Sequence, residues 1–306
     1  MMLSLVGYTG FVGSNIAAKG SFDGLYNSHN IRVADGTKPE LLVYAGVRAE
    51  KFLANKDPQA DFAVIREAIE NIKRINPQKL VLISTIDVYK EPVNVDEDTD
   101  IDASAMQAYG LNRYYLEQWV MDNIKNHLIV RLPGLYGINL KKNFIFDMIN
   151  IIPSMLNKEK YQELSGKSTL IAQQYQLQAN GFYQCVALNK KTREFLKEAF
   201  TEIGFSALNF TDSRGLFQFY PLTFLWEHIQ IALEAKWNKL NLATPPIEIA
   251  ELYRYIYGCE FQNHITAKPP YYNYKTKHYR AFNGDGGYVF EKLFLMQDIK
   301  RFVEAY

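Results

Sequence analysis

The strongest restriction on the fold lies near the amino terminus, where a short apolar run leads into three regularly spaced glycines. Leu3–Val6 is followed by Gly7-Tyr8-Thr9-Gly10-Phe11-Val12-Gly13, and a helix ending near Gly20 comes next. In such a unit the first glycine permits a tight turn, the second lets backbone N–H groups approach a pyrophosphate, and the third lets helix and strand pack closely. The phosphate then lies at the positive end of the helix. The pattern therefore predicts a dinucleotide-binding turn.

Short apolar runs alternate with segments of helical period through the first half of the chain. The runs lack two-residue alternation and predict buried strands at Leu3–Val6, Leu41–Tyr44, Leu80–Ser84 and Leu128–Arg131. Asp57 and Pro58 suit the N-cap and first position of one helix, and a second helix is predicted from about Ala105 to Ile124. The predicted fold class is α/β, a doubly wound parallel (Rossmann) sheet with a smaller C-terminal substrate lobe.

The domain organisation follows from the regular alternation of strand and helix signals, which ends after about residue 150. Residues 1–150, with returning elements at 216–245, are predicted to form the NAD(P)-binding sheet domain. Residues 151–215 and 246–306 are predicted to form the substrate-binding lobe, which contains a helix at Lys190–Ile203. Leu25–Tyr26 and Ile31–Val33 are predicted as short strands of the first domain.

The composition argues against several classes of protein. Lys and Arg number 34 and Asp and Glu 33, so a formal net charge of +1 gives no attraction to nucleic acid or an acidic membrane surface. Two cysteines are too few for a disulfide framework, which favours a reduced, cytoplasmic setting. No apolar run reaches the roughly 18 residues of a membrane helix. The five histidines show no pair at metal-ligand spacing, so no metal site is predicted.

The position that distinguishes NAD from NADP carries no acid. An acidic residue about 20 residues after the glycine loop usually binds the adenosine ribose. Asn27-Ser28 stands there, while Asp23 comes a little early and Arg32 a little late. The sequence leaves the choice between NAD and NADP open.

A strand end and a helix carry the candidate proton-transfer chemistry. The strand from Leu80 ends in Ser84-Thr85, and Tyr109 and Arg113 lie one helical turn apart. A phenol, whose pKa is ordinarily about 10, transfers protons near neutral pH when a neighbouring cation stabilises phenolate. A hydroxyl of Thr85 or Ser84 would hold a substrate oxygen against it. A surface helix with an ordinary Tyr and Arg is the alternative.

These residues together resemble a known family. The Gly-x-x-Gly-x-x-Gly loop, the Ser84-Thr85 strand end and Tyr109-x-x-x-Arg113 are similar to the extended short-chain dehydrogenase/reductases, the NAD(P)-dependent sugar epimerase/dehydratase family. Val81–Tyr89 and Ile129–Gly137 resemble its dTDP-4-dehydrorhamnose reductase branch. The resemblance implies an enzyme, an oxidoreductase or epimerase that uses NAD or NADP and acts on a carbonyl or alcohol of a sugar or nucleotide-sugar. It also implies a homodimer.

The resemblance assigns roles to individual residues. Thr85 would hold the substrate oxygen, Tyr109 would transfer the proton, and Arg113 is the third catalytic residue. The residues expected to contact the cofactor are Gly7, Thr9, Gly10, Phe11, Val12, Gly13, Asn27, Ala45, Gly46, Val47, Ser84, Tyr109, Arg113, Pro133 and Leu135.

The chain departs from the family at Arg113, where the family has lysine. A planar guanidinium does not replace a compact ammonium at a geometric site. A dinucleotide-binding sensor or partner-binding protein with a degenerate catalytic site is therefore the alternative function. A sugar dehydratase needs an acid directly after Thr85, and Ile86 stands there.

Overall fold

The computed structural model describes residues 2–104 and 106–306, so the predicted helix start at Ala105 lies outside the described residues. The chain divides into two compact units. The sheet unit consists of Met1–Leu140, Leu216–Ile247 and Tyr271–Gln297. The second unit consists of Lys141–Gly215, Glu248–Pro270 and Asp298–Tyr306. Residues 271–297, expected in the smaller lobe, thus belong to the sheet unit.

Strands and helices alternate along the first part of the chain. The strands are β1 (Leu3–Val6), β2 (Gly24–Tyr26), β3 (Leu41–Tyr44), β4 (Leu80–Thr85), β5 (His127–Leu132), β6 (Gly134–Tyr136), β7 (Met155–Leu156), β8 (Tyr175–Leu177), β9 (Tyr183–Cys185), β10 (Leu216–Phe217), β11 (Phe219–Pro221), β12 (Lys239–Asn241) and β13 (Ile247–Glu248). The α-helices are α1 (Phe11–Ala17), α2 (Lys51–Lys56), α3 (Pro58–Ile75), α4 (Ala108–Asn123), α5 (Phe144–Ile149), α6 (Lys158–Ser165), α7 (Thr169–Gln174), α8 (Lys190–Ile203), α9 (Leu225–Glu234), α10 (Ile249–Tyr257) and α11 (Lys292–Ala305).

The sheet unit is built on six parallel strands in the order β12-β5-β4-β3-β1-β2. Successive strand residues point to opposite faces. Leu5, Val43 and Val81 accordingly share one apolar cluster with residues of α1 and α9. Val6, Leu42 and Leu82 belong to another cluster with residues of α3 and α4. Helices therefore cover both faces, and the predicted doubly wound α/β class is confirmed.

The four apolar runs predicted as strands are confirmed as β1, β3, β4 and β5, and Leu25–Tyr26 lies in β2. The strand predicted at Ile31–Val33 is wrong, because Ile31–Ala34 forms a 3₁₀-helix. The physical reason is local hydrogen bonding by the Asn30 side chain to the residues before it. Its side-chain oxygen accepts a bond from the Asn27 N–H at 2.7 Å, and its amide donates to the Leu25 carbonyl at 3.0 Å, which turns the chain away from the sheet.

The beginning of α3 follows the predicted capping. The Asp57 carboxylate accepts a hydrogen bond from the Ala60 N–H at 3.0 Å, and Pro58 occupies the first helical position. The residues on the buried side of α3 recur at helical spacing and include Ile65, Ile69 and Ile72. This helix matters for the site because its first turn carries Asp61, which binds two residues of α4.

The second unit has its own small core. A three-stranded antiparallel sheet, in the order β7-β9-β8, packs with α8 around Leu164, Leu196 and Phe200. The helix predicted at Lys190–Ile203 is confirmed. The short strands were not predicted, because two or three residues are too few to show a period. None of the helices in the described part of the chain is both long and apolar enough to cross a bilayer.

Candidate functional site

The site lies at the carboxyl edge of the six-stranded sheet, near its reversal of strand order. β1 lies between β2 and β3, so the chain adds β2 on one side of β1 and then β3 on the other side. In open parallel sheets, ligands bind at the carboxyl ends of strands next to such a reversal. The predicted residues Gly7, Asn27 and Ala45 directly follow β1, β2 and β3, and Thr85 ends β4. The parallel sheet therefore brings most of the predicted residues to one edge.

Two glycines of the loop are required by the packing of the chain itself. Gly7 has φ +91°, and its N–H donates to the Tyr26 carbonyl at 2.7 Å. A Cβ at Gly7 would overlap the carbonyl of Ala45, and a Cβ at Gly13 would overlap the carbonyl of Gly7. These two positions consequently hold β1, β3 and α1 close together.

Gly10 differs from its two neighbours in the motif. It is exposed and is the N-cap of α1, with no side chain capping the helix. An added Cβ would lie 3.3 Å from the Gly7 carbonyl oxygen, a tight contact that needs a shift of a few tenths of an ångström but not the overlap found at Gly7 and Gly13. Thr9 is exposed beside it, while Phe11 and Val12 pack partly against the core. The bare loop therefore fits the close approach of a ligand such as a pyrophosphate.

This contrast predicts different consequences for two alanine substitutions. Gly10→Ala is expected to lose less stability than Gly13→Ala but to weaken NADPH binding at least about tenfold, because its methyl group occupies the space expected for the ligand. Gly13→Ala is expected to lower the thermal unfolding midpoint, because the methyl group collides with the Gly7 backbone. Fluorescence titration and thermal melting measure the two effects. Equal NADPH affinity of Gly10→Ala and the parent would contradict the assignment.

The residues after β2 contain no carboxylate at the expected ribose position. The side-chain oxygen of Asn27 accepts a bond from the His29 N–H at 2.9 Å. Asp23 accepts from the Leu3 N–H at 2.7 Å and so binds the beginning of β1, at the opposite edge of the sheet. Arg32 is exposed and lies 3.7 Å from Asp35. The residue at the expected ribose position, Asn27, therefore carries no negative charge of its own that would repel a 2′-phosphate.

Tyr109 occupies the first turn of α4 and is buried, with 8% of its surface exposed. Its N–H donates to the side-chain oxygen of Asn55 at 2.9 Å. The following residue is Gly110, where a Cβ would overlap the carbonyl of Asp87. The helix therefore packs directly on the turn that follows β4, which brings the phenol to Thr85.

The environment of Tyr109 keeps its phenol protonated at neutral pH. Burial raises the pKa of the phenol above its ordinary value of 10, and the charge of Asp87 acts in the same direction. The charge of Arg113, a hydrogen bond with Thr85 and the charge of Lys51 each favour the ionised form. All three oppose that rise in pKa. The Thr85 oxygen also accepts from the Asp87 N–H at 3.2 Å. The site thus presents a phenol that can give a proton to an adjacent oxygen.

Arg113 stacks on the ring of Tyr109 and is tied to the protein around it. The guanidinium carbon lies 4.0 Å from the ring centroid. Its nitrogens form an ion pair with Asp61 and donate to the carbonyls of Arg48 at 2.5 Å and Tyr109 at 3.3 Å. Among the described hydrogen bonds of Arg113, none reaches the phenol oxygen. The guanidinium therefore contacts the face of the Tyr109 ring.

The family comparison then decides where the chain belongs. Residues 1–159, more than half of the 306, match the family model described as the RmlD substrate binding domain. The chain belongs to the RmlD substrate-binding-domain family. The matched part includes the glycine loop, Thr85, Tyr109 and Arg113, and the expected resemblance to the dTDP-4-dehydrorhamnose reductase branch is confirmed.

Solved structures share the fold of this family member at low sequence identity. RMD from Pseudomonas aeruginosa, complexed with NADPH, has a TM-score of 0.63 at 15% identity over 99% of this chain and 98% of its own. The dTDP-4-dehydrorhamnose reductase from Bacillus anthracis, in complex with NADP, has a TM-score of 0.63 at 14% identity over the whole of both chains. UDP-glucose 4-epimerase from Thermotoga maritima, with UDP-glucose, has a TM-score of 0.63 at 14% identity over 99% of this chain and 98% of its own. No curated protein sequence matches the chain significantly.

The remaining predicted residues have different surroundings. The Ser84 hydroxyl donates at 2.5 Å to Glu117, which is buried in an ion pair with Arg131, so its proton is directed into the fold. Gly46 is exposed at the sheet edge, and Ala45 and Val47 are half-buried. Pro133 lies between β5 and β6, and Leu135 lies within β6. Both are half-buried.

Several residues of the site were not predicted from the sequence. They are Lys51, Asn55, Asp61 and Tyr272, together with the contacts of Asp87. Asn55 and Asp61 flank the capping pair at Asp57 and Pro58, which was the one local signal near them. In the described part of the chain, no group of three or more His, Cys, Asp or Glu side chains is arranged to hold a metal ion.

Proposed function

We propose that this chain is an NAD(P)-dependent oxidoreductase that reduces a carbonyl group of a nucleotide-sugar, with Tyr109 giving the proton. The observation that carries the proposal is the buried, protonated phenol beside Thr85, at the same sheet edge as the glycine loop. Membership of the RmlD family supports the substrate class, as do the reductase and epimerase among the structural relatives.

The glycine loop suits a nicotinamide dinucleotide. Gly10 leaves the backbone bare at the exposed N-terminus of α1, and Gly46 is exposed after the neighbouring strand. In this proposal the loop holds the pyrophosphate, Asn27 lies near the adenosine ribose, and Pro133 and Leu135 face the nicotinamide. A bound reduced dinucleotide supplies the hydride.

The protonation state of Tyr109 favours the direction of reduction. When the carbonyl carbon receives a hydride, the carbonyl oxygen gains negative charge and takes the phenol proton, which leaves phenolate. Thr85 accepts from the Asp87 N–H, so its own hydroxyl hydrogen can be shared between the phenol and the substrate oxygen. The opposite reaction, which an epimerase also needs, requires the phenol to lose its proton first and is disfavoured by the burial of Tyr109.

Two measurements test the proposal. Fluorescence titration with NADPH and NADH is expected to show saturable binding, and nicotinamide absorbance is expected to fall when a keto nucleotide-sugar from a panel is added. Failure of both dinucleotides to bind at millimolar concentration would overturn the cofactor assignment. Oxidation of a nucleotide-sugar alcohol that is faster than reduction of its ketone at neutral pH would overturn the assigned direction.

The choice of dinucleotide can be tested at Asn27. Asn27→Asp is expected to shift the ratio of the NADPH and NADH dissociation constants at least about tenfold in favour of NADH, because the carboxylate repels a 2′-phosphate and accepts bonds from a ribose hydroxyl. Asn126→Asp adds the same charge at an exposed residue before β5, at the opposite edge, and serves as the control. An unchanged ratio in Asn27→Asp would exclude Asn27 from the ribose site.

A second function is favoured by the contacts of Arg113. Its guanidinium is paired with Asp61 and stacked on the ring face, so it does not contact the phenol oxygen. Such a site suits a dinucleotide-binding sensor or partner-binding protein with a degenerate catalytic site. Tight NADPH binding without turnover of any nucleotide-sugar in the panel would support this function over the reductase.

A further inference from the structure

Lys51, Asp87 and Tyr272 form a side-chain cluster beside the carboxyl ends of the strands. The ammonium nitrogen of Lys51 donates to Oδ1 of Asp87 at 2.8 Å and to the hydroxyl of Tyr272 at 3.1 Å. Tyr272 donates to the same Asp87 oxygen at 3.0 Å. The three residues come from α2, from the turn after β4 and from the segment 271–297, all within the sheet unit. Each side chain therefore contacts the other two.

The cluster leaves one donor and one acceptor oxygen unused among its described hydrogen bonds. An ammonium group has three N–H donors, of which Lys51 uses one on Asp87 and one on Tyr272. A carboxylate has two oxygens, and the described bonds of Asp87 use only Oδ1. The side chains of Lys51 and Asp87 are 45% and 21% exposed, so a ligand can reach both. A hydroxyl group, which donates and accepts at once, matches this pair.

The Tyr272 side chain is held in place by a neighbouring strand. The Tyr272 N–H donates to the Leu216 carbonyl at 3.0 Å, and its ring stacks on that of Phe217 with 5.6 Å between the centroids. The Lys51 nitrogen lies 5.9 Å from the centroid of the Tyr272 ring. The cluster is therefore ordered before a ligand arrives, which lowers the entropic cost of binding.

Asp87 lies beside the residue that holds the carbonyl oxygen in the proposed function. Its N–H donates to the side-chain oxygen of Thr85 at 3.2 Å. An aspartate side chain extends at most about 5 Å from its own nitrogen, so the carboxylate lies within about 8 Å of the Thr85 oxygen. Two hydrogen bonds of about 2.7 Å, joined through oxygens on neighbouring sugar carbons, span a similar distance. A sugar whose carbonyl oxygen contacts Thr85 can therefore place the next hydroxyl against Asp87.

The charges of the cluster favour a neutral group over a charged one. Lys51 and Asp87 carry opposite charges 2.8 Å apart, so the pair has no net charge to attract an ion. A carboxylate of a sugar acid would be repelled by Asp87, and an amine of an amino sugar would be repelled by Lys51. A hydroxyl is attracted to both because it gives its hydrogen to the carboxylate and accepts from the ammonium.

We propose that Lys51 and Asp87 form a subsite for the hydroxyl next to the reacting carbonyl of the sugar, and that Tyr272 positions both side chains. This inference rests on the proposed function, because it takes Thr85 as the residue that holds the carbonyl oxygen. Oδ2 of Asp87 accepts the hydroxyl hydrogen, and Lys51 donates to the hydroxyl oxygen. The two residues therefore determine specificity, since a sugar that is deoxygenated at this carbon leaves both groups without a partner.

A binding experiment tests the subsite without requiring turnover. Protein saturated with NADP is titrated by calorimetry with UDP-, dTDP- and GDP-glucose, and then with the monodeoxy analogues of the sugar that binds tightest. Removal of one hydroxyl is expected to weaken binding at least about tenfold, because that hydroxyl bonds to charged groups. Equal affinity for the sugar and all its monodeoxy analogues would overturn the inference, as would the failure of all three nucleotide-sugars to bind.

Substitutions in the cluster connect this preference to its residues. In Lys51→Met and in Asp87→Asn, the deoxy analogue is expected to bind as in the parent, while the complete sugar binds less than about threefold more tightly than the analogue. Tyr272→Phe is expected to give an intermediate preference. A parental preference in both Lys51→Met and Asp87→Asn would overturn the inference. Weaker NADP binding with an unchanged sugar preference would assign the cluster to the cofactor and would also overturn it.

An exposed ion pair on α3 provides the matched control. Lys73 and Glu70 lie 2.9 Å apart, with side chains 52% and 54% exposed. Lys73→Met removes the cation of this pair, as Lys51→Met does in the cluster, and is expected to keep the parental sugar preference. The same titrations separate this inference from the proposed function. A parent protein that shows the expected hydroxyl preference but reduces no nucleotide-sugar ketone would support the subsite and overturn the reduction.

Discussion

Tyr109→Phe is expected to lower kcat/KM for the reduction of a nucleotide-sugar ketone by about 10²–10⁴-fold. Phenylalanine keeps the stacking under Arg113 and leaves the packing of Gly110 on Asp87 unchanged, but it removes the group that gives the proton. Because Tyr109 is buried and its N–H contact with Asn55 is made by the backbone, α4 is expected to keep its position. Stopped-flow absorbance of the nicotinamide with saturating NADPH measures the effect.

The control for this substitution lies on the same helix. Tyr115→Phe also removes one hydroxyl, but Tyr115 is 49% exposed and its ring packs against Phe62 of α3. Its activity is expected to equal that of the parent, and the NADPH affinity of both variants is expected to stay within about threefold of the parental value. Parental turnover in Tyr109→Phe would remove Tyr109 from the mechanism.

Glu117→Gln is expected to reduce the free energy of unfolding by about 3–5 kcal/mol. Glu117 of α4 is fully buried and accepts from Nε and Nη2 of Arg131, the latter at 2.7 Å, and from the Ser84 hydroxyl at 2.5 Å. Arg131 of β5 also donates to the Tyr89 hydroxyl at 2.7 Å. Without the carboxylate charge, the buried guanidinium loses the ion-pair partner that it contacts directly. Urea denaturation followed by circular dichroism measures the loss.

A double substitution distinguishes a charge effect from a packing effect. Replacing both Glu117 and Arg131 with Met removes both charges and is expected to cost less than Glu117→Gln alone, since no buried charge is left unpaired. Glu70→Gln, in the exposed pair with Lys73, is the control and is expected to leave the denaturation midpoint unchanged. A Glu117→Gln midpoint equal to the parental one would show that the ion pair contributes nothing to stability.

Much of the sheet unit was predictable because its signals are local. Buried parallel strands are short apolar runs, and Leu3–Val6 and Leu41–Tyr44 have the predicted boundaries. Asp57 and Pro58 begin α3 because capping involves residues only three positions apart. The prediction failed at Ile31–Val33, where the side chain of Asn30 offers the backbone an alternative to strand pairing. The small sheet of the second unit was missed because its strands are too short.

The candidate site was predictable only in part, because only some of its residues belong to local sequence patterns. The glycine loop, Thr85 and Tyr109 belong to local patterns, and the parallel order of the strands brings their positions to one edge. The direction of a side chain, however, depends on which neighbour it meets. Ser84 was expected at the cofactor, yet its proton is directed to Glu117, 33 residues further along the chain.

The sequence by itself determined the doubly wound class, the glycine turn after β1 and the family, because periodicity, turn sterics and motif spacing act over a few residues. Only the tertiary structure decided the electrostatics around Tyr109. Lys51 contacts Tyr272 across 221 positions, and Arg113 contacts Asp61 across 52. Such pairs depend on how α2, α3 and α4 pack on the sheet edge. No local pattern specifies them, since the charge at a site is the sum of contributions from segments that meet only after folding.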